Sequence, residues 1–349
     1  MGALRSRRSA SHTPYRTQRR RPLKTWLSAG LVALLVLAGV LIHFALTPIA
    51  VKEADRTLTV APGASLKKVA RELRDKGMLR ETLRLVWLGR LSGHASGLKA
   101  GIYELPEKIT PLRLLEKFTR GEFSQAEITF IEGWAFRQIR EALNQHPGVK
   151  HDTAQLSDRQ LLERLGVRDE HPEGLFFPDT YHFAKGASDT QILHTAHRTL
   201  ASILADSWAK RSEGLPFETP YQALIMASIV EKETGRREDR PLIAAVFVNR
   251  LRKHMLLQTD PTVIYGLGER FDGNLRRVHL DTDGPYNSYT RTGLPPTPIA
   301  AAGRESIEAA LHPATSSALY FVARGDGTSA FSDSLEQHNR AVQRYQLRR

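Results

Sequence analysis

Two glutamates, Glu231 and Glu233, close an apolar run that reads TPYQALIMASIVEKETG between Thr219 and Gly235. A carboxyl group among apolar side chains loses the hydration that stabilises its anion, so burial favours the protonated form. The unpaired carbonyls at the C-terminus of a helix act in the same direction. A carboxyl that holds its proton at neutral pH can protonate a leaving oxygen, so this segment is a candidate for general acid catalysis.

The run must form a helix for the carboxyl to be placed in this way. Thr219 suits an N-cap, Pro220 suits the first helical position, and Gly235 suits the exit. The apolar residues between them cover every face instead of one stripe, which is typical of a helix that is surrounded by other elements. The sequence therefore predicts a buried central helix.

The helical spacing selects Glu231 over Glu233. Glu231 falls on the same stripe as Leu224 and Ala227, so its side chain is predicted to point inward while Lys232 turns away. The alternative is an ordinary solvated helix end, at which Glu231 pairs with a nearby Arg or Lys. Glu233 is the matching control for this choice.

Charge and composition limit the classes of function that this chain can have. The chain has 349 residues, a net charge of +13 and no cysteine, which excludes disulfides, thiolate catalysis and cysteine metal sites. The first 25 residues hold eight Arg or Lys and no acid. Most of the basic excess therefore belongs to a tail, and the rest of the chain does not have the charge typical of a nucleic-acid binder.

An apolar stretch follows this tail. The 21 residues from Trp26 to Leu46 are long enough to cross a bilayer as a helix. Because arginines crowd its N-terminal side, the positive-inside rule predicts a cytoplasmic tail over 1–25, a transmembrane helix over 26–46, and an external remainder. A cleaved signal peptide is the alternative, but its apolar region would be shorter and no small-x-small cleavage site follows.

The remainder is predicted to have an α+β fold in two parts. Residues 47–125 alternate short strands with capped helices and form a small module, and residues 126–349 form a larger domain that holds the central helix. The module contains an S-x-x-K sequence, from Ser65 to Lys68, of the kind found in acyl-serine enzymes. Ser65 is better explained as a helix cap.

Three further segments carry polar groups that could contact a sugar. Gln258 and Thr259 precede a short helix that Asp260 is predicted to cap, and a long loop contains Tyr286-Asn287-Ser288-Tyr289. Glu173 stands beside an aromatic run, where a structural role is an equal alternative. No metal motif, phosphate loop or dinucleotide fingerprint is present, so neither a metal nor a cofactor is predicted.

The order of these segments resembles one family. The sequences ASIVEKET at 227–234, LQTDPTVIYG at 257–266, YNSY at 286–289 and GLPP at 293–296 are similar to those of the YceG-like family of endolytic murein transglycosylases. The segment from Glu173 to Tyr181 resembles the same family. The match runs over most of residues 50–345, and the apolar N-terminal helix resembles the single inner-membrane span of the family.

The resemblance implies a lyase that cuts peptidoglycan strands internally near the inner membrane. The bond is the β-1,4 link from N-acetylmuramic acid to N-acetylglucosamine, and the product is a 1,6-anhydro end, which would limit glycan elongation. The resemblance also implies a LysM-like module at 47–125, a YceG-like catalytic domain in the periplasm, a glycan-strand partner, and no nucleic acid. It leaves peptidoglycan synthases open as protein partners.

The family's catalytic glutamate corresponds to Glu231 on this prediction. One carboxyl suffices because the C6 hydroxyl of the muramyl sugar attacks its own C1. Glu231 would act first as acid and then as base. The side chains predicted to contact the sugars are Gln258, Asp260, Asn287, Tyr289 and Glu173.

Two other function classes remain open on the sequence alone. A membrane-tethered scaffold could bind peptidoglycan through the same loops without any chemistry, and it would produce no anhydro ends. A membrane-anchored nucleic-acid binder is disfavoured because the basic run lies beside the bilayer, where anionic lipid accounts for it.

Overall fold

The computed structural model describes residues 23–168 and 171–347, so most of the predicted basic tail over 1–25 lies outside the described residues. The chain divides into two compact units, Met1–Glu122 and Phe123–Arg349. The predicted domain boundary at 125/126 stays a prediction. The fold is mixed α+β with one N-terminal apolar helix, as the sequence predicts.

The N-terminal helix, α1, runs over Leu23–Leu46, and its segment Leu27–Leu46 is apolar and long enough to cross a membrane. Nearly all of its described side chains are exposed, except near its C-terminus, where Ala45 is buried. An isolated helix that exposes a continuous apolar surface fits a single-pass membrane anchor better than a core helix of a soluble protein.

The rest of the first unit is a small α+β module. Its strands form two antiparallel pairs, β1 with β4 and β2 with β3, in which Leu58 lies opposite Tyr103. Their bounds are β1 Ile49–Ala50, β2 Thr57–Val60, β3 Gly101–Glu104 and β4 Lys108–Ile109. The helices are α2 Leu66–Asp75, α3 Thr82–Leu91 and α4 Pro111–Arg120. The Ser65 side chain caps α2, which confirms the structural explanation of that serine.

The second unit is mostly helical. Its helices are α5 Phe136–Gln145, α6 Asp158–Leu165, α7 Asp189–Ala209, α8 Pro220–Glu233, α9 Arg240–Arg252, α10 Asp260–Leu267, α11 Arg277–Asp281, α12 Arg304–Leu311 and α13 Leu335–Tyr345. Its strands are β5 Gln125–Thr129, β6 Val149–Lys150, β7 Thr180–Ala184, β8 Ala187–Ser188, β9 Tyr320–Ala323 and β10 Ser329–Ser332. Antiparallel pairs join β5 to β7 and β9 to β10, and β6 pairs with β8 in parallel.

The central helix is α8, and it is present as predicted. Thr219 accepts a hydrogen bond from the Gln222 amide at 3.2 Å, and Pro220 is the first helical residue. All eight residues from Ala223 to Val230 are buried, because α7, α9, α10 and α12 pack around the helix. The helix ends at Glu233, so both glutamates lie in its last turn.

Candidate active site

Glu231 lies in a buried ion-pair cluster. Its Oε1 accepts a hydrogen bond from the Arg240 guanidinium at 3.2 Å, and its Oε2 accepts one from the Gly303 amide at 2.9 Å. The side chains of Glu231 and Arg240 are each only 6% exposed. Both partners are donors, so the two contacts fix the position of the carboxyl group. The cluster therefore matches the alternative that the sequence left open for Glu231, an ion pair at the helix end.

Arg240 connects three elements at this point. It is the first residue of α9, and besides Glu231 it pairs with Glu305 of α12 at 3.2 Å and lies 3.9 Å from Glu132. A buried arginine has a rigid fork of donors that can hold several carboxylates in fixed directions. The ion pairs thus tie the C-terminus of α8 to the N-termini of α9 and α12.

Glu233 lies in a different environment, at a pocket of about 360 Å³. Burial raises the pKa of Glu233 above its ordinary value. The Thr259 hydroxyl donates a hydrogen bond to Oε1 and lowers the pKa of Glu233. The negative charge of Asp260 raises this pKa, and the positive charge of Arg250 lowers it. A half-buried carboxyl with a raised pKa, open to a pocket, has the properties of a general acid.

The segments predicted to contact sugar converge on this pocket. It is lined by Glu233, Arg250, Leu257, Gln258, Asp260, Tyr289, Tyr320, Phe321, Leu335 and His338. Three of the predicted residues, Gln258, Asp260 and Tyr289, are therefore brought together with Glu233. Arg250 and the residues from β9 and α13 were not predicted, because their positions along the chain give no signal that they share a surface with α8.

Asp260 does not cap α10, contrary to the sequence prediction. The N-cap is Thr259, with no side-chain hydrogen bond to the helix, and Asp260 is the first helical residue. Its carboxylate instead accepts a hydrogen bond from the Tyr289 hydroxyl. The Thr259 hydroxyl is used by Glu233, so the local capping rule is overridden by contacts with another part of the chain.

Arg250 and Gln258 both line the pocket that contains Glu233. Arg250 is buried and donates to three backbone carbonyls, those of Leu256, Leu257 and Leu319. It also donates to Oε1 of Gln258 at 3.3 Å. Gln258 has a φ of 51°, a left-handed conformation that is rare outside glycine and often marks functional positions. Arg250 therefore contacts the side chain of Gln258, while the Gln258 amide donates to the Ser288 carbonyl at 3.0 Å.

Asn287 and Glu173 do not line the pocket that contains Glu233. The Asn287 amide donates to the carbonyls of His279, Leu280 and Thr282, and its Oδ1 accepts from the Tyr289 amide. Asn287 thus holds the loop that carries Tyr289. This arrangement supports an indirect role at the pocket.

Glu173 occupies the N-terminus of α5. Its two carboxylate oxygens accept from the Phe136 amide at 3.0 and 3.1 Å, at a helix whose N-cap position is Ala135. Burial raises the pKa of Glu173 to about 7, against hydrogen bonds that lower it. Glu173 lines a separate cleft of about 1260 Å³. Its hydrogen bonds explain it as a replacement for the cap that alanine cannot supply.

The described residues, 23–168 and 171–347, contain no group of three His, Asp or Glu side chains that could hold a metal ion.

The fold and pocket define a mixed α+β protein with one apolar N-terminal helix and a buried carboxyl facing polar and aromatic side chains. The YceG-like family model matches residues 58–344, and the chain belongs to that family. This result confirms the resemblance drawn from the sequence motifs.

Comparison with named relatives and with a solved structure indicates the same family. The endolytic murein transglycosylase of Bacillus subtilis strain 168 is 32% identical over 305 residues, covering 82% of this chain and 84% of the relative. That of Streptococcus pneumoniae strain D39 is 28% identical and covers 82% of this chain, which spans only 57% of that relative. The crystal structure of a YceG-like protein from Listeria monocytogenes is 30% identical, with a TM-score of 0.51, over 81% of this chain and 97% of that one.

Removing Arg240 tests the cluster. Arg240→Ala leaves the Glu231 carboxylate buried without its cationic partner, so we expect the free energy of unfolding to fall by about 3–5 kcal/mol. Arg237 is the matched control, because it also pairs with Glu305 but is exposed. Arg237→Ala is expected to change the free energy of unfolding by less than about 1 kcal/mol. Denaturant unfolding of the two variants measures both values, and equal losses would contradict the structural role of Arg240.

Proposed function

We propose that the chain is a lytic murein transglycosylase, a lyase that cleaves the β-1,4 bond between N-acetylmuramic acid and N-acetylglucosamine and leaves 1,6-anhydro ends. Membership of the YceG-like family and relatives named endolytic murein transglycosylase support this activity. The observation that carries it is the pocket in which Glu233, Gln258, Asp260 and Tyr289 meet. Peptidoglycan strands are the substrate, cut at internal positions.

We assign the acid to Glu233 in preference to Glu231. Glu233 faces the pocket and has a raised pKa, whereas both oxygens of Glu231 are held by Arg240 and Gly303. A proton donor must reach the leaving oxygen, and the hydrogen bonds from Arg240 and Gly303 hold the carboxyl group of Glu231 away from that task. The pairing of Glu231 with Arg240 supports a positioning role for the residue first predicted as catalytic.

The reaction then proceeds with one carboxyl. Protonated Glu233 donates to the glycosidic oxygen as the bond to C1 breaks. The resulting carboxylate takes the proton of the C6 hydroxyl, which attacks C1 and closes the 1,6-anhydro ring. A hydrolase needs a second carboxylate to act as nucleophile or to activate water, and an intramolecular hydroxyl removes that requirement. Gln258 and Tyr289 line the same pocket, which supports the proposal that they orient the sugars.

Matched glutamine variants test this assignment. Glu233→Gln removes the proton donor, so we expect the rate of glycan cleavage to fall by at least about a hundredfold, the usual contribution of a general acid. Glu231→Gln weakens the Arg240 pair but leaves the acid, so anhydro ends should still form at a temperature where the variant is folded. Mass spectrometry of the products from purified glycan strands measures both. Abolished cleavage in folded Glu231→Gln, with cleavage retained in Glu233→Gln, would reverse the assignment.

The pH dependence gives an independent check. Because Glu233 must be protonated in the free enzyme, kcat/KM should fall as the pH rises through its pKa. Asp260→Asn removes a negative charge that raises this pKa, so the falling limb should move to lower pH. Thr259→Val removes a hydrogen bond that lowers it, so the limb should move to higher pH. Shifts of the same sign in both variants, or none, would argue against Glu233 as the acid.

The alternative is a membrane-tethered scaffold that binds peptidoglycan without cleaving it. It uses the same loops and predicts binding of strands with no increase in anhydro ends. The half-buried, pocket-facing carboxyl of Glu233 favours the lyase, since a binding protein gains nothing from an acid that costs free energy to desolvate.

We also propose the arrangement at the membrane. Residues 1–25 are cytoplasmic, α1 crosses the inner membrane, and both the LysM-like module at 47–125 and the catalytic domain at 126–349 are periplasmic, where peptidoglycan synthases could be partners. The support is the arginine-rich flank of α1.

The variant Lys67→Cys tests the orientation of the module and its contact with glycan, because the chain has no cysteine of its own. It should react with an impermeant thiol reagent in intact spheroplasts, and with a photocrosslinker attached it should capture glycan strands. Protection from the reagent would reverse the orientation, and absence of glycan crosslinks would argue against a LysM-like role.

A further inference from the structure

Helix α3 exposes a stripe of large apolar side chains. Leu83, Trp87 and Leu91 are 65%, 54% and 71% exposed, although their neighbours Leu85 and Leu88 are buried in the module. The three residues follow one another at four-residue spacing, so they lie on one face of the helix. Large exposed apolar side chains that form one contiguous face usually mark a binding surface.

Cationic side chains border this stripe on both sides. At roughly 100° per residue, Arg90 lies on one side of the stripe and Arg84 on the other. The Arg90 guanidinium lies 5.6 Å from the centre of the Trp87 ring, and Arg84 is 3.2 Å from Glu81. An apolar face with tryptophan at its centre and arginines along its edges is the arrangement of helices that lie in a membrane interface.

The stripe is next to the helix that fits a membrane anchor. A cleft of about 890 Å³ separates α1 from the start of α3, and Arg80 and Arg84 line it together with Val36 and Val40 of α1. The Arg84 side of the stripe therefore faces α1. Any bilayer that surrounds α1 continues towards the exposed face of α3.

The apolar segment of α1 agrees with this placement. Its 20 residues, Leu27–Leu46, extend about 30 Å at 1.5 Å per residue, which is the thickness of the hydrocarbon core. Ala45, in the last turn of this segment, is buried. The chain therefore enters the module directly after the segment that fits a membrane span.

We propose that the Leu83-Trp87-Leu91 face of α3 binds the outer surface of the same bilayer that α1 crosses. The partner is phospholipid: the apolar side chains enter the boundary between headgroups and acyl chains, while Arg80, Arg84 and Arg90 contact lipid phosphates. This inference rests on the proposed membrane anchor. Its consequence is that the module is held at the bilayer surface by two contacts instead of one helix alone.

Single cysteines in the full chain test the face, because no native cysteine competes for label. Leu83→Cys and Leu91→Cys are labelled with an environment-sensitive fluorophore, in vesicles of phosphatidylethanolamine and phosphatidylglycerol that carry a quencher near the headgroups. We expect both labels to be quenched several-fold more than a label at Lys67→Cys, since the exposed side chains of α2 are mostly charged. Equal quenching at Lys67 and Leu91 would overturn the specific docking of this face.

A label at Leu35→Cys, in the middle of α1, separates this inference from the anchor. Quenching at Leu35 by a deep quencher, without quenching at Leu83 or Leu91, would overturn the interfacial contact and leave the anchor intact. Absence of quenching at Leu35 would overturn both. A Leu91 label that is shielded only at high protein concentration, and is insensitive to the lipid quencher, would assign the face to a second copy of the chain and overturn the lipid assignment.

Discussion

The buried ion pair between Glu231 and Arg240 is the interaction on which the candidate site depends. Two charges that are each only 6% exposed are costly to desolvate, and their attraction offsets that cost only when the geometry is held tightly. Here the geometry is held by Glu305 on the second guanidinium nitrogen and by the Gly303 amide on the second carboxylate oxygen. The pair joins the end of α8 to the start of α9, and Glu305 joins the same arginine to α12.

A fixed helix end gives the two glutamates different roles. Glu231 and Glu233 are separated by one residue, yet Glu231 pairs with a buried arginine while Glu233 has a raised pKa and faces a pocket. Two carboxyl groups in one site can take different tasks when their surroundings differ. In the proposed mechanism, Glu231 fixes the helix end that carries Glu233.

Much of the fold could be predicted from local signals. The cap at Ser65 and the Thr219-Pro220 start of α8 are predicted directly by the sequence, because a cap needs only its own neighbours. The strand β7 is not predicted by the sequence, because it pairs with β5, more than fifty residues earlier in the chain. Glu173 likewise caps a helix distant in sequence, so its role could not be read from its neighbours.

The choice between the glutamates shows where helical periodicity stops being informative. Phase distinguishes an inward from an outward side chain only when one face of the helix is buried, and α8 is buried on all faces. Glu231 continues the stripe of Leu224 and Ala227, but Glu233 equally continues that of Met226 and Ile229. What separates them is the partner each one meets, an arginine from α9 or a threonine before α10, and both partners are set by tertiary packing. For a carboxyl on a fully buried helix, the neighbouring charges therefore decide which one can be the acid.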